Sequence, residues 1–189
     1  MPKSPLDPES IWESDACSQS MTQKEVEDIN NALLEERETI PKSDLTSLRA
    51  FLKKTQIHLH PQHYIVSLTK RWNLALMCVN PAKAQYEEWQ EKLKLVEELL
   101  EVLNIVNPGF SKDRGRALFE LAVTKLNMTK LEYENHKLEH HEFVKISQNT
   151  VIPLFQECYN LLSPESEKSY EQLLSQACEF YIDKLKTFF

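Results

Sequence analysis

The sequence predicts an all-α protein whose helices, about seven or eight in number, pack as antiparallel hairpins. Two observations favour this class: apolar residues recur at spacings of three and four along most of the chain, and no segment alternates cleanly as a strand would. A third is that short breaks containing proline or glycine separate the helical runs, so successive helices are expected to stack in a tetratricopeptide-like bundle. No 34-residue repeat is visible, and the likeness is therefore one of shape.

The stretch from residue 107 to 116 contains both glycines of the chain and predicts a corner between two helices. Pro108 and Gly109 should end the first helix, because proline cannot continue it and glycine reaches left-handed backbone angles cheaply. Ser111 is a favourable N-cap for the next helix. Gly115 would then lie at the end of its first turn, where close approach of a neighbouring helix is the expected compensation for glycine's low helix propensity.

Residues 1–21 are expected to form an extended acidic leading segment, and residues 22–189 a helical domain. Thr22 and Glu25 predict a capping box at the start of the first helix. Ser43 is expected to cap the second helix, and the signal at residues 163–165 predicts the start of the last one. The predicted helices cover about residues 22–38, 44–56, 62–79, 82–106, 112–126, 143–162 and 164–188.

Some boundaries stay open at this stage. The polar stretch 127–141 could form a short helix or the start of the next one. Pro153 either kinks the helix predicted over residues 143–162 or marks its true first turn.

The apolar stripes of two helices are expected to face the core. The stripe of the fourth helix consists of Tyr86, Trp89, Leu93, Val96, Leu100 and Leu103, and that of the last helix consists of Tyr170, Leu173, Leu174, Ala177, Tyr181 and Leu185.

Composition places the chain among globular proteins of the cytoplasm or nucleus. No stretch approaches the run of about 18 apolar residues that a membrane span needs, and the first residues lack the apolar region of a secretory signal. Four cysteines, Cys17, Cys78, Cys158 and Cys178, stand far apart, which favours reduced thiols. We therefore expect no membrane association.

The charge distribution argues against nucleic acid as a partner. Residues 1–40 hold ten acidic and three basic side chains, so they carry all of the net charge of −7, and the remainder of the chain is balanced. A nucleic-acid-binding protein would show a basic stripe, and none is visible. No glycine-rich phosphate loop occurs, which excludes the usual nucleotide cofactor sites.

Two groups of histidines are candidate metal ligands. His136, Glu139 and His140 match the inverted zinc-protease signature, in which two histidines share one helix face; the charged surroundings favour a solvated face instead. His58, His60 and His63 surround a proline break, where turn histidines that hydrogen-bond locally are the favoured interpretation.

Other candidate residues favour ordinary structural roles. Lys70 and Arg71 beside Trp72 could form a small patch for an anionic partner, although a polar helix edge is favoured. Trp72, Trp89 and Tyr86 are expected to pack in the core. The sequence therefore predicts no catalytic, cofactor-binding or metal-binding residue and no cofactor.

Several stretches resemble the C-terminal helical region of SMYD proteins, which contain SET and MYND domains, and especially the msta-like group of arthropods. The resemblance lies in residues 59–64 (LHPQHY) and 107–115 (NPGFSKDRG), followed by residues 118–121. Residues 5–12 (PLDPESIW) resemble the stretch after the SET domain. Where the family continues with a Cys-x-x-Cys zinc-binding pair, residues 14–17 read SDAC, so only Cys17 remains of that pair.

The resemblance implies a tetratricopeptide-like domain that packs against an upstream SET domain or binds other proteins. The family's cofactor-binding and catalytic residues lie in the SET domain, and no residue of this sequence matches them. The leading hypothesis is a non-catalytic helical interaction or scaffold domain. The alternative is that the sequence is the C-terminal part of a SET-domain protein-lysine (histone) methyltransferase. Oligomeric state is left open.

Overall fold

The computed structural model describes residues 11–13, 20–166 and 168–188, and over these it is an all-α protein of helical hairpins. The chain divides into two compact units, residues 1–66 and residues 67–189, with the boundary inside the third helix. The predicted division between residues 21 and 22 stays a prediction, because most of the leading segment lies outside the described residues. The tetratricopeptide-like arrangement likewise stays a prediction.

The N-terminal unit combines a small strand pair with two helices. Its elements are β1 (Ile11–Glu13), β2 (Ser20–Thr22), α1 (Gln23–Thr39), α2 (Leu45–His58) and the first residues of α3 (Tyr64–Leu76). The strands pair antiparallel with Ile11 opposite Thr22, and they were not predicted because three residues are too few to show alternation. Its core contains Leu33, Phe51 and Ile65.

Two helix starts in this unit show how local side chains set boundaries. The predicted capping box is confirmed: the Glu25 amide donates to Thr22 Oγ1 at 3.2 Å, and the Thr22 amide donates to Glu25 Oε2 at 2.8 Å. The cap predicted at Ser43 is wrong by one residue. Asp44 caps α2 instead, accepting from the Ser47 amide at 3.0 Å, because its carboxylate reaches the exposed amide of the first turn.

The C-terminal unit contains the rest of α3 and five further α-helices. These are α4 (Tyr86–Val106), α5 (Lys112–Glu134), α6 (His140–Ile146), α7 (Ile152–Leu162) and α8 (Tyr170–Phe188), with a π-turn at Ser147–Val151 between α6 and α7. Helix α4 packs on α5, α5 on α7, and α7 on α8. No helix of the described residues is both long and apolar enough to cross a membrane.

The predicted corner between α4 and α5 is confirmed in its details. Gly109 has φ +86°, the left-handed region, and Ser111 caps α5 by accepting from the Arg114 amide. Gly115 lies against α7 so closely that a Cβ built there would be 2.4 Å from Leu162 Cδ2. The expected close approach of a neighbouring helix therefore explains the glycine.

Several boundaries in the C-terminal unit differ from the predictions, and among them α3 ends at Leu76 instead of residue 79 and α4 begins at Tyr86 instead of residue 82. Helix α5 continues to Glu134, because residues 127–134 contain neither proline nor glycine to end it. The helix start predicted at residues 163–165 is wrong, since these residues form the turn that ends α7. Helix α8 begins at Tyr170, where Ser169 Oγ accepts from the Gln172 amide at 3.1 Å.

Pro153 is the second residue of α7 and directly follows the π-turn. In an α-helix its ring would clash with the carbonyl group four residues earlier, and it has no N–H to donate. The wider π-turn relieves this conflict, with the Ile152 amide bonding to the Ser147 carbonyl five residues back. Proline thus neither kinks one continuous α-helix nor begins an isolated one; it follows a local change of helix type.

The core of the C-terminal unit lies between α4, α5, α7 and α8. Trp89, Val96, Leu100 and Leu103 of the predicted α4 stripe are buried, whereas Tyr86 and Leu93 are half-buried. In α8 the predicted stripe is only partly right. The side chains buried there are Leu174, Cys178, Ile182 and Leu185, together with Glu171 and Ser175, whereas Tyr170 and Leu173 are exposed.

Replacing Gly115 by alanine should destabilise the protein by about 1–3 kcal/mol, because Leu162 is fully buried and cannot move away freely. Urea unfolding monitored by circular dichroism measures this free energy. In a Gly115→Ala/Leu162→Ala double variant the loss should be smaller than the sum of the two single losses, because the clashing atoms are gone. Additive losses would show that the contact does not limit packing.

Candidate functional site

A pocket of the C-terminal unit lies where α3, α4, α5 and α8 meet, and we call it the four-helix pocket. Its cavity volume is about 210 Å³. The floor is apolar, and charged side chains surround the mouth. It is lined by Arg71, Leu74, Ala75, Leu99, Asp113, Arg116, Ala117, Glu120, Tyr170 and Leu174.

The rim of the four-helix pocket is a chain of ion pairs that joins three helices. Asp113 Oδ1 lies 2.9 Å from Arg71 Nη1 of α3 and 3.9 Å from Arg116 Nη1, one turn further along α5. Arg116 also pairs with Glu171 of α8. A backbone hydrogen bond of Glu171, with the Arg116 guanidinium, holds the pKa of the Glu171 carboxyl below its ordinary value.

Tyr170 forms one side of the mouth. The Arg116 guanidinium carbon lies 5.6 Å from the centre of the Tyr170 ring, which is within the range of a cation–π contact. Burial of the phenol, together with the negative charge of Glu120, raises the pKa of Tyr170 above its ordinary value. The phenol is therefore a neutral aromatic surface at physiological pH.

Two lysines on helices that line the pocket are buried, although the sequence pattern would place them at the surface. Lys92 is 5% exposed, and its Nζ lies 2.8 Å from Glu120 and donates to the Met77 carbonyl at 3.2 Å. Lys70 is 2% exposed and pairs with Glu98 at 2.8 Å. These ion pairs connect α4 to α5 and α3 to α4, so the pocket walls are fixed by buried charges.

This arrangement is suited to holding an apolar group. Leu74, Leu99, Ala117 and Leu174 provide a floor that is almost completely buried, and each rim cation is paired with a carboxylate. Sequence reasoning missed the pocket, because its lining comes from four helices that only the fold brings together. In the sequence, only the Lys70–Arg71 pair pointed towards this pocket. Both residues form ion pairs within the C-terminal unit and do not make a separate basic patch.

The structure places His136 and His140 differently from the helical arrangement that the zinc-protease signature requires. Helix α5 ends at Glu134 and α6 begins at His140, so the two histidines do not share a helix face. His136 lies in the connection with φ +56° and is exposed. Across the described ranges, no group of three or more His, Cys, Asp and Glu side chains is arranged to hold a metal ion.

Histidines around the α2–α3 break make local hydrogen bonds, as the sequence predicted. His60 Nδ1 accepts from the Gln62 amide, and His63 Nδ1 accepts from the Ile65 amide, each at 3.2 Å. Partial burial lowers the pKa of His63 below its ordinary value of 6.5. His58 is the last residue of α2.

The remaining candidates serve packing. Trp89 is 1% exposed, and Tyr86 donates from its hydroxyl to Glu132 Oε1 at 2.5 Å. Cys158 and Cys178 are fully buried free thiols, and a hydrogen bond between them, together with burial, raises the pKa of Cys158. Such thiols are unreactive core groups. Cys17 and residues 5–10 lie outside the described residues, so the predicted remnant of a zinc-binding pair stays a prediction.

No protein-family model and no curated protein matches this chain.

Replacing Lys92 by methionine should destabilise the protein by about 1–3 kcal/mol, because Glu120 and the Met77 carbonyl lose their partner in a buried setting. Thermal unfolding monitored by circular dichroism measures the loss.

The control is Lys125→Met, which removes a more exposed ion pair with Glu97 between the same two helices. That change should cost less than about 1 kcal/mol. Adding Glu120→Gln to Lys92→Met should restore part of the stability, since the unpaired charge is removed. Equal losses in the Lys92 and Lys125 variants would contradict the structural role of the buried pair.

His63 should make stability fall as the pH drops below about 6.5. Its folded-state pKa is lowered, so the unfolded chain binds more protons in this range, and protonation of Nδ1 also removes the bond from the Ile65 amide. Asparagine can accept the same bond without titrating. Urea unfolding between about pH 7 and pH 5 should therefore show a smaller loss for His63→Asn than for the unaltered protein. An identical pH dependence of the two proteins would exclude this contribution.

Proposed function

We propose that this chain is a non-catalytic helical protein-binding domain, related in kind to the C-terminal region of SMYD proteins. The observation that carries the proposal is the surface of α8. A second apolar face lies beside its buried one and is left uncovered in the described part of the chain.

Helix α8 is apolar on more than one side. Leu174 and Cys178 are buried in the core, whereas Leu173 and Phe180 are 62% and 56% exposed. Because each residue turns the helix by about 100°, Leu173, Ala177 and Phe180 share one stripe that is rotated away from the buried face. A helix with such a wide apolar surface is ordinarily covered on both faces.

The chemistry of this stripe favours a helix as the covering group. Residues spaced by four and three positions form a ridge that fits the groove of another helix. Lys184 lies with its Nζ 5.6 Å from the centre of the Phe180 ring, so a cation borders the apolar stripe. We therefore expect a partner helix with an apolar stripe and an acidic residue at its edge.

The family resemblance supports the same class of function, because the corner motif of residues 107–115 is the stretch that resembles SMYD proteins. The alternative is that these residues belong to a larger SET-domain methyltransferase, in which the partner helix or surface would be in the same polypeptide. An immunoblot of source tissue with an antibody against α8 separates these cases. A band near 22 kDa supports a domain that acts alone, and a band two to three times larger supports the alternative.

The direct test is a double substitution, Leu173→Ser with Phe180→Ser. Both side chains are exposed, so each change should alter the free energy of unfolding by less than about 0.5 kcal/mol. Proteins captured from source extract by the unaltered chain should be lost with this variant, as measured by quantitative mass spectrometry.

Ile57→Ser with Val79→Ser is the matched control, because these side chains are 77% and 72% exposed and lie outside α8. It should retain the captured proteins. If the α8 variant and the control retain the same set, the stripe is not the binding surface. Calorimetric binding of S-adenosylmethionine to the isolated chain would show that the domain is not simply a binding module.

A further inference from the structure

The four-helix pocket is a preformed recess within one compact unit of the chain. All of its lining side chains belong to residues 67–189. The buried pairs Lys70–Glu98 and Lys92–Glu120 join α3 to α4 and α4 to α5 beside it. Small-molecule sites usually have this form, a concave site with an apolar floor and a few polar groups. The floor side chains come from four different helices and are Leu74, Leu99, Ala117 and Leu174.

We propose that the four-helix pocket binds a small, neutral aromatic molecule that donates one hydrogen bond, of the indole or phenol type. The proposal goes beyond the protein-binding role of α8, because Leu173 and Phe180 do not line the pocket. It rests on the volume of the pocket, the pairing of its charges, and one carboxylate oxygen that can still accept a hydrogen bond.

The volume of the pocket selects a ligand of one or two rings. A dry cavity of about 150 Å³ is sufficient to bind benzene. The four-helix pocket has about 210 Å³, whereas pockets for drug-sized ligands begin at about 300 Å³. A bicyclic molecule such as indole fits this interval, and a larger ligand would leave most of its surface in water.

The charges of the pocket select a neutral ligand. Each of the two rim arginines is paired with a carboxylate, and Glu120 is paired with Lys92, so three cations balance three carboxylates. An anion would compete with Asp113 and Glu171 for the arginines, and a cation would compete with the basic side chains for the carboxylates. Either ion would leave a displaced charge unpaired next to an apolar floor, which costs free energy.

Glu120 and Tyr170 select an aromatic molecule with a donor group. Glu120 Oε2 lies 2.8 Å from Lys92 Nζ, whereas Glu120 Oε1 has no hydrogen-bond donor within the described part of the chain. An N–H or O–H group of the ligand can donate to Oε1 while the buried ion pair stays intact. Tyr170 is exposed at the mouth, and its ring offers an aromatic contact that favours an aromatic ligand over an aliphatic one.

Two-dimensional ¹H–¹⁵N NMR of the full chain, titrated with indole, tests the proposal. We expect saturable shifts with a dissociation constant of about 0.1–1 mM, because a molecule of this size makes few contacts. The signals of Leu74, Leu99, Ala117 and Leu174 should shift together, since these residues lie on the four helices that converge at the floor. No saturable shifts at about 5 mM indole, or shifts confined to one helix, would overturn the proposal.

Three further probes of similar size test the chemical class of the ligand. Benzoate and benzylammonium carry a charge, and each should bind at least about tenfold more weakly than indole. Benzofuran has the shape of indole without its N–H group, and it should bind about threefold to tenfold more weakly, because Glu120 then gains no hydrogen bond. Equal or tighter binding of either ion would contradict a neutral ligand, and equal binding of benzofuran would contradict the hydrogen bond.

Substitutions locate the site. Ala75 is exposed and lines the pocket, so Ala75→Phe should weaken indole binding by at least about tenfold, because the new ring takes up the volume that the ligand needs. Ala50→Phe is the matched control, since Ala50 is an exposed alanine of α2 that does not line the pocket, and it should leave the affinity unchanged.

Tyr170→Ala is a second variant in case Ala75→Phe does not fold, which circular dichroism checks. Tyr170 is exposed, and its loss should weaken indole binding by about threefold because the aromatic contact is removed. Full retention of indole affinity by a folded Ala75→Phe protein, or by Tyr170→Ala, would show that indole binds elsewhere and would overturn the proposal.

Discussion

The close approach of α5 and α7 at Gly115 is the contact on which the C-terminal unit depends. With no side chain at this position, Leu162 packs directly on the α5 backbone, and Cys158 Sγ lies 3.3 Å from the Gly115 carbonyl oxygen. Helix α5 occupies the centre of the unit, between α4 on one side and α7 and α8 on the other. Because α5 contacts α4, α7 and α8, its approach to α7 affects most of the helix packing in this unit.

Ion pairs between helices then fix the orientation of these packed elements. Buried Lys70 and Lys92 each reach a carboxylate on a neighbouring helix, and Arg114 joins the start of α5 to Glu157 of α7. A buried ion pair adds little net stability compared with apolar packing, but a wrong arrangement would leave a buried charge unpaired. Residues 67–189 hold eighteen acidic and fifteen basic side chains, and several of these form the ion pairs between the helices of the C-terminal unit.

Features set by neighbouring residues could be predicted from the sequence, whereas features set by packing could not. The Thr22 cap and the Gly109 corner depend on contacts within a few residues, and both were predicted correctly. The start of α8 was predicted too early because Pro164 is compatible with a helix start as well as with the turn that ends α7. The buried face of α8 was only partly right, since its apolar residues extend over two faces and periodicity alone does not select one. The pocket joins four helices, and no sequence pattern reports such a convergence.

Several of the residues that carry the resemblance to SMYD proteins form the α4–α5 corner in this fold. Asn107 Nδ2 donates to Ser111 Oγ at 2.9 Å, Gly109 adopts the left-handed turn, and Gly115 admits α7. Residues of this kind report on how the corner is built and not on what the domain binds. Phe110 is different, because its ring is 82% exposed to solvent. Singly exposed apolar side chains are common on protein surfaces, so the exposure of Phe110 does not by itself mark a binding surface.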